Sequence, residues 1–202
     1  MIETMRTLLG RMLEGLFAPK LSARRVLAQD WGLDVAVQFT LLAYALNAIL
    51  ATLIPGARPE IAGGSIITVH LVNMILQVLL VGVIGAMVWG VGRMFGGAGA
   101  RDRALVLVAW HTLVTVLLAP FFQLGTAALR DTLPEGEPGG GAVDMSAAPG
   151  WVVLSFGVGV SAWLWLLASY TTELHGFRST WAVLGVMVAV AMLLSVVVLN
   201  LG

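Results

Sequence analysis

The chain has 202 residues, of which 59% are hydrophobic and only 11% charged, with a mean hydropathy of +0.95. Ordinary globular domains carry about 25% charged residues, and a soluble core of this size could not hide so much apolar side chain. Eleven basic and eleven acidic residues cancel, which removes the basic footprint of a general nucleic-acid binder, and the absence of cysteine removes disulfides, thiolate chemistry and cysteine-ligated metals together.

Residues 1–20 mix acids with bases and lack the apolar stretch and small-residue cleavage site of a secretion signal. Met5, Leu8, Leu9, Met12, Leu13 and Leu16 recur at three- and four-residue spacing opposite Glu3, Arg6 and Glu14, which predicts a short amphipathic helix. Such a helix is expected to lie on the cytoplasmic leaflet, assisted by Arg24 and Arg25, within a cytoplasmic N-terminal segment 1–32. Residues 33–202 are expected to form one transmembrane domain with spans at about 35–54, 66–92, 104–129, 151–170 and 180–201. Each run supplies the ~20 residues that a hydrocarbon core roughly 30 Å thick demands at about 1.5 Å per residue, and a lone strand would leave its edges unsatisfied in lipid. The predicted fold class is therefore all-α: a polytopic membrane protein of five transmembrane helices with a short N-terminal amphipathic helix.

Basic residues orient the spans. Arg6, Arg11, Lys20, Arg24, Arg25, Arg93, Arg101, Arg103 and Arg178 fall on one side, and only Arg58 and Arg130 on the other. That bias places the N-terminus in the cytoplasm and the C-terminus outside it. Trp31, Trp89, Trp151 and Trp181 mark span ends, whereas Trp110, Trp163 and Trp165 sit deeper, where packing or lipid contact is expected. On the outer side, the loop 130–149 is rich in Pro and Gly, and its acids Asp131, Glu135, Glu137 and Asp144 match no calcium-loop spacing, so a solvated acidic loop is expected.

Within the spans, His111 needs a polar partner or a protonation role, and an interhelical hydrogen bond is the favoured expectation. Asn47, Asn73, Gln77 and Gln123 are read as glue between helices. His70, His111 and His175 lie at different depths, so no metal centre is expected, and no carboxylate lies deep enough to suit ion-coupled transport. Small residues recur every four positions at Gly82, Ala86 and Gly90, at Gly157 and Ser161, and at Gly185 and Ala189, giving faces for close helix approach. Pro120 should kink the third span.

Two cytoplasmic connections remain. Arg93, Arg101 and Arg103 flank a glycine-rich turn that lacks the Lys and Ser/Thr of a phosphate-binding loop, so the arginines are expected to meet lipid phosphates and Asp102 to cap the third span. Glu173, His175 and Arg178 cluster after the fourth. A Glu–His pair can do general-base work, but no nucleophile accompanies it, and neither enzyme activity nor a cofactor is expected.

At these connections the sequence resembles the Yip1 domain family of integral membrane proteins. The resemblance rests on Phe95-Gly96-Gly97-Ala98-Gly99 leading into the third span, on Ala119-Pro120 within it, and on Leu174-His175-Gly176-Phe177 followed by Ser179 and Ala182. The five-span layout and Pro19 ahead of the first span agree with it. The resemblance implies a membrane-embedded five-helix domain with a cytoplasmic N-terminus. Eukaryotic relatives work in Golgi and ER trafficking and bind Rab-type GTPases and one another. This chain departs from them by its short N-terminal segment, which weakens the GTPase expectation. Its Ala- and Gly-rich composition points to a bacterial inner membrane, with the C-terminus periplasmic. The expected function is a noncatalytic scaffold or accessory protein that contacts membrane lipids and binds a membrane-protein partner or a second copy. The alternative is a small-solute or lipid transporter or channel with a cavity near His111 and Pro120.

Overall fold

The computed structural model describes residues 2–53, 65–130 and 149–201, with side chains at 2–5, 126–130, 191 and 193–201 outside that description. The acidic outer loop and Arg58 therefore lie outside the described residues.

The described residues are helical almost throughout. Helix α1 (Ile2–Phe17) gives way at Ala18 to α2 (Pro19–Leu27). Proline disfavours helical geometry in the residue before it and suits the first helical position. Accordingly Ala18 leaves helical geometry at φ −132°, ψ 60°, and Pro19 opens α2. Among the described residues four helices are long and apolar enough to cross a membrane: α3 (Leu33–Leu53), α4 (Ile66–Met94), the combined run of α5 (Arg101–Thr115) and α6 (Ala119–Arg130) as far as Gly125, and α7 (Gly150–His175). Helix α8 (Thr180–Leu201) is continuous, and its described apolar part, Thr180–Val190, is shorter than a crossing.

Helix α5 is the centre of the molecule. Ala104, the run from Val106 through His111, Leu113 and Val114 are all buried, and α1, α2, α3, α4 and α7 pack around it. Helix α4 is the more apolar of the two by hydropathy, yet most of its length is exposed. Lipid tails are as apolar as leucine, so hydropathy does not sort helices into inner and outer positions.

The third span is broken rather than gently bent. Pro120 has no N–H to give the carbonyl of Val116, and its ring would crowd that carbonyl. The chain answers with a 3-10 turn over Val116–Leu118, in which Ala119 N–H bonds to Val116 O, before α6 resumes.

The N-terminal helices dock on the bundle. Trp110 Nε1 donates to Ser22 Oγ at 2.9 Å, and Tyr170 Oη donates to Gly15 O at 3.3 Å. Trp31, Phe39 and Trp110 form an aromatic series, each ring 5.3 Å from the next, the first pair edge-on and the second tilted. The apolar stripe of α1 is divided: Met12 is buried and Leu8 and Leu16 pack on the core, while Leu9, Leu13 and Phe17 face outward.

Candidate functional site

The two connections that carry short motifs come together in space, and His175 is what they share. Helices α4 and α7 end alike. Gly96 at φ 81° and Gly176 at φ 70° adopt the left-handed conformation that glycine takes without steric cost. The next residue then reaches back to close the last turn: Gly97 N–H bonds to Gly92 O at 2.9 Å, and Phe177 N–H to Thr172 O at 3.0 Å.

This geometry folds the 95–99 turn over the end of α7. His175 Nε2–H donates to Val88 O at 3.2 Å, and its Nδ1 accepts from Gly99 N–H at 3.3 Å. Its carbonyl takes Ala98 N–H at 3.4 Å. One ring nitrogen donates and the other accepts, so the neutral imidazole with its proton on Nε2 is the form that satisfies both partners. The ring stacks on Phe177 with centroids 5.4 Å apart. A Cβ at Gly92, Gly97 or Gly99 would press on this imidazole. Three glycines and one buried histidine thus form a clasp tying the α4–α5 turn to the end of α7.

The Glu173–His175 pairing considered from sequence does not form. Glu173 turns to α2 and receives Arg24 Nε at 2.7 Å and Nη2 at 3.3 Å, an interaction that holds Arg24 above its usual pKa. Residues two apart on a helix do not share a face, and His175 is buried where Glu173 is not. Arg25 pairs with Glu14 at 2.6 Å, and Arg93 Nη1 donates to Gly97 O at 3.3 Å. Arg101, Arg103 and Arg178 are exposed and make no ion pair among the described residues. Asp102 sits in the first turn of α5, whose N-cap residue is Ala100. There its charge complements the helix dipole instead of capping.

Deeper in the bundle, His111 Nε2–H donates to Trp163 O on α7 at 3.2 Å, and the imidazole meets Trp163 and Tyr170 edge-on at 5.1 and 5.9 Å. Gln123 Nε2–H reaches Asn47 O at 3.5 Å, joining α6 to α3. Tyr44 Oη and His70 Nδ1 lie 2.8 Å apart, linking α3 to α4. Asn73 is exposed on α4, Gln77 is half-buried, and neither side chain has a hydrogen bond among the described residues. A cavity of about 450 Å3 sits beside the Pro120 break, lined by Asn47, Thr115, Ala119, Phe122, Gln123 and Trp163 among others. His111 is not in its wall. Trp163 is, and takes the His111 hydrogen bond on its backbone.

Close helix packing inside the chain uses other small residues than the four-residue series. A Cβ on Gly85 would lie 2.5 Å from Leu105 Cδ2, and one on Gly159 2.8 Å from Phe122 Cζ. At Gly82, Gly90, Gly157 and Gly185 no atom lies within 4 Å of that position outside the local helix. Ser161 and Ala189 are exposed and Ala86 half-buried.

Sequence reasoning did not find the clasp or the Trp110–Ser22 and Tyr170–Gly15 contacts. The polar run Ser169-Tyr170-Thr171-Thr172 at the end of an apolar span was the available signal, and all four residues are buried.

The family described as Yip1 domain matches residues 14–200, nearly the whole chain. No curated protein and no solved structure gives a significant match.

Proposed function

We propose, for a chain that belongs to the Yip1 domain family, a noncatalytic scaffold or accessory role in which its spans bind another membrane protein or a second copy. The carrying observation is the open space at Gly82, Gly90, Gly157 and Gly185, where no described atom outside the local helix lies within 4 Å of an added Cβ. In lipid, small residues allow backbones to approach closely, and polar side chains add interhelical hydrogen bonds. Asn73, exposed on α4 without a side-chain hydrogen bond among the described residues, is a second reason for a partner helix. In this reading all five apolar helices cross a bacterial inner membrane. The N-terminus is cytoplasmic, the C-terminus periplasmic, and Arg101, Arg103 and Arg178 rest on anionic headgroups.

Crosslinking in native membranes tests it. Gly82→Leu and Gly157→Leu should each reduce crosslinked species several-fold while far-UV circular dichroism stays unchanged; undiminished crosslinking in both would sink the proposal.

The cavity at the Pro120 break supports a second reading, passage of a small polar solute along Asn47 and Gln123. Here the double variant Asn47→Ala/Gln123→Ala should change solute uptake into reconstituted vesicles. Uptake no greater than in protein-free vesicles would dispose of this reading.

A further inference from the structure

Helices α4, α7 and α8 enclose a lateral groove of about 490 Å3, within the usual range of about 300–1,000 Å3 for small-molecule sites. Its wall is drawn from residues between 84 and 95 on and just after α4, between 163 and 171 on α7, and between 177 and 190 on and just before α8. Ile84, Val186 and Val190 line its far part, whereas Arg178 and Ser179 stand with Phe95 and Phe177 at the end beside the histidine clasp.

Length and charge together select an occupant. From 84 to the end of α4 at 94, the rise is about 15 Å at ~1.5 Å per residue. One leaflet of the hydrocarbon core is about 15 Å deep, half of the full ~30 Å. Along α4, which is described well beyond this wall, the groove is therefore about one leaflet deep, which suits an acyl chain and is half of what a crossing helix would need. Arg178, exposed and without an ion pair among the described residues, stands at its mouth, where a phosphate would lie. The open glycines Gly82, Gly90, Gly157 and Gly185 do not line it, so it is separate from the faces assigned to protein partners.

We propose that this groove holds one acyl chain of an anionic phospholipid from the adjoining leaflet, with its phosphate against Arg178. The assignment depends on the chain crossing the membrane and not on its binding a protein partner. Gly92 lies in the wall with the His175 imidazole packed against it, so the bound chain would lie along the wall that the clasp supports.

Native mass spectrometry of the full chain, released from detergent and titrated with phosphatidylglycerol or phosphatidylcholine, tests this. One phosphatidylglycerol should be retained per chain, several-fold in preference to phosphatidylcholine. Arg178→Gln should bring the two lipids close to parity. Ala182→Trp, which fills the groove, should remove retention of both, and Val186→Phe serves the same purpose if the tryptophan variant does not fold. Gly82→Leu should leave lipid retention unchanged, so loss of partner binding and loss of lipid binding are separable. Equal retention of the two lipids by the native chain overturns the proposal. So does phosphatidylglycerol retention that survives both Arg178→Gln and a folded groove-filling variant, or a dimer that dissociates when the groove is filled.

Discussion

Gly92→Val should destabilise the protein by about 3 kcal/mol, while Gly90→Val, two residues earlier on the same helix, should change stability by less than about 0.5 kcal/mol. A Cβ at Gly92 falls on the His175 imidazole. That ring cannot swing aside cheaply, because Val88 O, Gly99 N–H and the Phe177 ring hold it on three sides. Overpacking of this kind typically costs about 1–3 kcal/mol, and each hydrogen bond lost as the ring moves adds about 1 kcal/mol. At Gly90 the added side chain meets open space. Reversible unfolding in dilute detergent, where association does not contribute, measures both. Equal losses would show that the clasp is not where the packing strain falls.

His175→Ala should cost a similar ~3 kcal/mol, and Glu173→Ala far less. Removing the imidazole leaves Gly99 N–H without its acceptor, an omission worth about 1–3 kcal/mol when buried, and opens a void bordered by Gly92, Gly97 and Gly99. Glu173 loses only its pair with an exposed Arg24, and exposed ion pairs contribute little. A Glu–His dyad acting on a substrate would make the two variants comparably damaging to function with little effect on stability. The same unfolding measurement, read beside limited proteolysis at the 95–99 turn, separates the cases: faster cleavage is expected in His175→Ala alone.

The family motifs were legible as strings before their purpose was. Phe95 through Gly99 reads as a turn because of its glycines, whereas Gly176 was only part of a motif and the fourth span was expected to end at 170, five residues before α7 does. That Gly92, Gly97 and Gly99 are small to admit one particular imidazole depends on residues 76 to 83 positions away along the chain, which no local pattern encodes. His111 was legible differently: an imidazole inside an apolar run must find a partner, so its hydrogen bond to another helix followed from physics, while the identity of Trp163 as the acceptor did not. Arg24 and Arg25 illustrate the reverse. Their charge suggested lipid phosphates, and the fold instead brought Glu173 and Glu14 within reach.

The sequence by itself determined the all-helical class, the apolar segments that become helices, a departure from regular helix at Pro120 and the glycine-rich turn after α4. Each follows from a local constraint: the thickness of hydrocarbon, a missing N–H, or a backbone angle that glycine tolerates. Only the tertiary structure decided that α5 lies at the centre, that Gly85, Gly92 and Gly159 take the close contacts while the Cβ positions of Gly82, Gly90 and Gly157 stay open, and that His175 joins two distant turns. In a soluble protein the contrast between water and core would have marked the inner face of each helix. Lipid and protein interior are alike in polarity, so that contrast vanishes, and the inner face is selected by shape and by a few hydrogen bonds between residues far apart in the chain.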